Sequence, residues 1–255
     1  MAGPDLPPSL TRASRTAGLA IRRRASGWLA AVCLLLAAHP GLARSPDAVE
    51  TESRALQGEW ASVFYEAPRE QRSGRYKGLL DRVRQLRARH PGRAEPLIVE
   101  AIILCTYSAS ALGLDTLDML EQARVLLQQA IDLDPPALDG AAYVTLGNLY
   151  RRLPGWPILY GDKQLARQYL EAGLRLYPDA IDTNYFYGEY HLDAGDMDRA
   201  RHYLGKASHA PIRESLRISD LKLKEEADRA LAELRAGRSG HSDFFGLFTP
   251  AFDGR

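Results

Sequence analysis

Small and aliphatic side chains recur along this chain at helical spacing, and part of the pattern repeats at a fixed offset. Ala166, Leu170 and Gly173 return as Ala200, Leu204 and Ala207, each pair 34 residues apart. Spacing of three and four residues places such positions on one helical face. A period of this length belongs to arrays of helix–turn–helix units, in which each unit buries its apolar face against its neighbours.

The same pattern predicts the elements. A weakly amphipathic segment runs from Ala55 to Glu66. Pro68 and Gly74 are expected to break it before a stripe of Leu79, Leu80, Val83 and Leu86 that ends at His90-Pro91-Gly92. A second unit opens at Glu95-Pro96 with Leu97, Ala101 and Leu104 inward, and continues through Ala123, Leu127 and Ala130 to Asp134-Pro135-Pro136. Ser108 to Asp118 reads as a long connection. The third unit pairs Tyr143–Arg152 with Lys163–Leu176 across the insertion Leu153 to Asp162. The fourth has Tyr187-Gly188 in its first helix, a turn at Asp193 to Asp196, and Met197 to Ser208 as its second, with Pro211 as the stop. A last helix, Glu214 to Arg235, offers Leu216, Leu221, Leu223, Ala227, Leu231 and Leu234 to cover the open end. The expected fold is therefore all-α, a superhelical array of about four helix pairs with a C-terminal capping helix.

Tyr143-x2-Leu146-Gly147-x2-Tyr150, followed by the small and leucine positions of the next helix and by Pro178, resembles the tetratricopeptide repeat. On that resemblance Gly147 lets a neighbouring helix approach closely, and Gly188 takes the same position one unit later. Such arrays serve as docking surfaces, so a binding scaffold is expected rather than an enzyme.

The first 43 residues read as a secretory signal: five arginines precede an apolar run from Trp28 to Ala38, and Gly41-x-Ala43 supplies small residues for cleavage. The run is too short to span a bilayer as a helix, and an uncleaved anchor is the alternative. Val32 stands before Cys33 where a lipidation signal needs a small residue, so a lipoprotein is not expected. The domain reading is 1–43 signal, 44–236 helical array and 237–255 a flexible aromatic tail, Ser242 to Phe248, that either folds into a groove or stays disordered.

With the signal removed, Cys105 is the one remaining thiol and no intrachain disulfide can form. Its run Ile102-Ile103-Leu104-Cys105 reads as core. The remaining chain has 28 basic against 31 acidic side chains, a balance that argues against a general nucleic-acid binder. His90, His191, His202, His209 and His241 form no metal-ligand spacing, and no phosphate loop or nucleophile elbow is present. No metal or cofactor is implied. His191 takes a slot where a second aromatic packs, and Glu189 with Asp193 reads as part of a polar turn.

The inner surface of such an array is lined by the first helix of each unit. Asn148, Arg151 and Arg152 are assigned there from the third unit, and Asp182, Tyr185 and Glu189 from the fourth. Arginine forks carboxylates and tyrosine gives flat amphipathic contact, which suits an extended peptide or a small anion. The second candidate is Trp156, whose flanking Pro154 and Pro157 restrict the backbone.

A narrower resemblance rests on Leu153-Pro154-Gly155-Trp156-Pro157, on Gly161-Asp162-Lys163, and on the stretch Pro178-Asp179-Ala180-Ile181-Asp182-x-Asn184-Tyr185-Phe186-Tyr187-Gly188-Glu189. Together these resemble the TatT family, the tetratricopeptide components associated with periplasmic TRAP-type transporters. The resemblance covers roughly Leu56 to Leu234. It implies a periplasmic protein, a homotrimer enclosing a pore, that docks a TRAP solute-binding protein and passes it a hydrophobic or carboxylate ligand. The alternative is a general interaction or assembly factor of the cell envelope.

Overall fold

The structure, a computed structural model, describes residues 47–110 and 115–237. All of them lie within one compact unit, Pro46–Arg255. The proposed signal and the aromatic tail beyond Gly237 lie outside the described residues.

Among the described residues every regular element is helical: α1 (Ala48–Tyr65), α2 (Arg69–Arg89), α3 (Ala94–Ser110), α4 (Asp115–Leu133), α5 (Ala137–Arg152), α6 (Lys163–Leu176), α7 (Ile181–Asp193), α8 (Met197–His209) and α9 (Arg217–Arg235), with one 3-10 turn at Glu214–Leu216. Consecutive helices pack as pairs, most extensively α3 on α4, α5 on α6 and α7 on α8.

Glycine sets the closeness of two pairs. A Cβ on Gly147 would lie 2.7 Å from Leu170 Cγ, and one on Gly188 would lie 2.8 Å from Leu204 Cγ. Either distance is below van der Waals contact, so the absent side chain is the space the leucine fills. Ala166 and Leu170 on α6, like Ala200 and Leu204 on α8, are fully or almost fully buried.

Aspartates start α6 and α8. Asp162 Oδ1 accepts from the backbone N–H groups of Gln164 and Leu165 at 2.7 and 3.0 Å, and Asp196 accepts from Arg199 N–H at 3.1 Å. A side-chain acceptor at this position satisfies donors that the first helical turn leaves unpaired.

Where α5 begins, Leu138, Asp139 and Gly140 all adopt left-handed conformations, with φ of 47°, 59° and 71°. Such backbone is costly for a leucine. Tyr177 offsets part of this cost: its ring covers Gly140, and its hydroxyl donates to Pro136 O at 2.9 Å. The turn holds Asp139 against Arg54 of α1.

Several sequence expectations change. Gly74 does not break the chain, because it sits inside α2 on an exposed surface where no packing depends on its side chain. The second unit's connection is short, since α3 runs through Ser110 and α4 starts at Asp115. Leu221 is 43% exposed, whereas Leu216, Leu223, Ala227, Leu231 and Leu234 are buried as expected. The last helix also does more than close one end. It packs on α7, α8 and α1, and α1 packs in turn on α3, so the first and last helices of the array meet.

Candidate functional site

That meeting changes the inner surface. Tyr185, assigned to an open groove, is fully buried in a cluster with Phe64 of α1, Ile181, Leu204 of α8 and Leu223 of α9. The repeat pattern assigns it to an exposed inner face, and the structure buries it instead. What the pattern does not carry is that α1 and α9 come in to cover that face.

The polar residues assigned beside it are also largely withdrawn from solvent. Arg151 is buried on α5, where its Nε donates to Asn148 Oδ1 at 3.2 Å and its Nη1 to Asp193 Oδ2 at 2.5 Å. Glu189, also buried, lies 3.8 Å from the same guanidinium. Glu189 and Asp193 are thus ion-pair partners of α5 rather than parts of a solvated turn. Arg152 is half-buried, and burial first and the adjacent Arg151 second push its pKa down. Arg151, Glu189 and Asp193 therefore join the C-terminal ends of α5 and α7, with Arg152 in the field of both carboxylates. Buried pairs of this kind leave a costly charge if one partner is removed.

Asp182 belongs to a second set. Arg213, just before the 3-10 turn, pairs with Asp182 at 3.2 Å, with Asp139 at 3.5 Å and with Asp220 at 2.8 Å. Burial raises the pKa of Asp182 against the pull of Arg213. Asp220 has no exposed side-chain surface, and it also accepts from the backbone N–H of Arg213 at 2.8 Å. This junction ties α1, α5, α7 and α9 together. Sequence reasoning missed it because its members are far apart: Arg54 and Asp139 are separated by 85 positions. The one local hint was Asp220, a carboxylate within the apolar stripe of α9.

Trp156 has the opposite fate. It is 89% exposed, and Ile158 beside it is 64% exposed. The loop beneath them is held at both ends. Gly161 N–H donates to Pro154 O and Asp162 N–H to Tyr150 O, each at 2.9 Å. Tyr160 donates its hydroxyl to Leu120 O at 2.8 Å, with the Arg124 guanidinium 5.5 Å from its ring centre. A Cβ on Gly161 would lie 1.8 Å from Leu153 O, so only glycine permits this closure. The Trp156–Pro157 peptide is cis. The loop therefore presents an apolar tip from a fixed base.

Cys105 is buried, and burial pushes its thiol up to about 12, which keeps it protonated at neutral pH. Among the described residues no group of three or more His, Cys, Asp or Glu side chains is placed to hold a metal ion. Nor is any helix among them long and apolar enough to cross a membrane. No family model matches the chain, and no curated protein matches it significantly.

Proposed function

We propose that this chain is a tetratricopeptide-like binding scaffold of the periplasm, resembling the TatT family, that docks the solute-binding protein of a TRAP-type uptake system through its Trp156 loop. The observation that carries this reading is the exposure of Trp156 and Ile158 on a loop whose ends are hydrogen-bonded to α5 and whose Tyr160 is bonded to α4. A large apolar side chain held in water by a preorganised loop loses little conformational freedom on binding, and aromatic anchors of this kind dominate interface energies. Export by a signal cleaved after Ala43, trimeric assembly and transfer of a hydrophobic or carboxylate ligand belong to the same reading. The scaffold role is non-enzymatic.

The test is capture from periplasmic extract with the tagged chain as bait, the wild type beside Trp156→Ala. Recovery of an extracytoplasmic solute-binding protein that falls about tenfold or more with the variant is the expected outcome. Recovery of many unrelated envelope proteins, unchanged by the substitution, would instead support the assembly-factor reading. Intact mass of the mature protein checks the export step, and a lipidated N-terminus at Cys33 would overturn it.

A further inference from the structure

Away from the loop, an open cleft of about 590 Å³ lies between the α2–α3 turn and the last turn of α4. Its walls are unlike each other. On the α2 side stand Arg84 and Arg87, and between the walls lie Pro91, Leu97 and the half-exposed Leu133, with Asp132 at the α4 edge.

The arginines are positioned from below. Glu100 of α3 has no exposed side-chain surface, and it faces Arg84 Nε at 2.9 Å and Arg87 Nε at 3.1 Å. One buried carboxylate thus orients two guanidinium groups, while 43% and 37% of their side-chain surfaces stay exposed. The pair carries one more positive charge than Glu100 cancels. Other arginines of α2 are engaged elsewhere: Arg82 pairs with Glu59 and Arg89 with Glu52, both on α1.

We propose that this cleft docks an acidic segment of a protein partner, with one aliphatic side chain on the Leu97–Leu133 floor and flanking carboxylates on Arg84 and Arg87. Guanidinium groups held in fixed orientation suit carboxylates, because less freedom is lost per hydrogen bond formed. A polyphosphate fits less well, since Glu100 beneath and Asp132 opposite together offset both arginines and leave only the α2 edge of the cleft cationic, enough for a carboxylate or two. An open cleft also suits a chain that enters and leaves better than a small molecule, which pockets normally enclose. The proposal rests on the scaffold reading but uses residues remote from the Trp156 loop, so the two can fail separately.

The probe is a fluorescein-labelled peptide with two glutamates on each side of a leucine, titrated into the full chain by anisotropy. Controls replace glutamate by lysine, or leucine by serine. Saturable binding is expected for the glutamate–leucine peptide alone, weakening as salt rises from about 50 to about 200 mM. Leu133→Asp should weaken it about tenfold, whereas Asp132→Asn, which removes a repelling charge, should strengthen it. Trp156→Ala should leave it unchanged. Equal binding of the lysine peptide, indifference to Leu133→Asp, or association with anionic lipid vesicles but not with the peptide would each overturn the proposal.

Discussion

The α5–α6 and α7–α8 pairs are built to one plan and joined differently. Gly147 meets Leu170 as Gly188 meets Leu204, and Asp162 caps α6 as Asp196 caps α8. Tyr150 stacks on Tyr169 with ring centres 5.6 Å apart, and His191 stacks on Tyr203 at 5.7 Å in the corresponding place. The connections separate them. Between α7 and α8 the chain turns through Ala194, Gly195 and Asp196, whereas between α5 and α6 it runs from Leu153 to Asp162 and carries Trp156 into solvent. Packing inside a pair is therefore indifferent to the connection. An insertion there can display a side chain without disturbing the core, since loops at a surface tolerate added length at small entropic cost.

The two pairs also differ in how they meet the rest of the array. Arg213 reaches Asp182 at the start of α7, Asp220 on α9 and Asp139 at the start of α5. Arg213→Ala should strip the buried Asp220 of its cation and cost about 3–5 kcal/mol, the largest effect foreseen, read by chemical denaturation. A loss below about 1 kcal/mol would mean the junction is not what fastens the last helix.

The shared packing is tested next by Gly147→Leu and Gly188→Leu. Each should cost about 1–3 kcal/mol, and by similar amounts, because the clashing leucines stand at matching distances. Unequal losses would show that one pair can open to admit the side chain and the other cannot.

His191 sharpens the comparison through pH. Burial holds its pKa below the ordinary imidazole value, while Asp196 at 3.7 Å pulls the other way. Arg199 and Arg167 add to the lowering and Glu171 opposes it. In the unfolded chain the imidazole takes up a proton near pH 6.5, before the folded protein does. Its contribution is therefore present above that pH and is lost as pH falls below it toward the depressed folded value. A His191→Tyr variant, which copies Tyr150, should lose that part of the pH dependence. Thermal melts of both proteins between about pH 7 and about pH 5 read it.

The smallest effect on stability belongs to Trp156→Ala. With its side chain in solvent, truncation should move the melting temperature within error, equivalent to less than about 0.5 kcal/mol. A marked drop would mean that the indole plugs the array.

Helix α6 was legible, from about Lys163 to Leu176, because its amphipathic period is unbroken. The long insertion, the capping role of the last helix and the tight glycines were legible for the same reason: each is a local pattern of residue types. Tyr185 was misjudged because an aromatic side chain fits an open groove and a covered one equally well, and its sequence neighbours do not distinguish them.

The amino-acid sequence by itself determined that the chain is helical and that neighbouring helices pair, since both depend on residues three, four and 34 positions apart. Only the tertiary structure decided that α1 and α9 meet, that Arg151, Tyr185 and Glu189 lie inside, and that Arg84 and Arg87 share one buried carboxylate. Burial and ion pairing are properties of surfaces brought together from distant segments. Neither helical periodicity nor local propensity carries the distance between them.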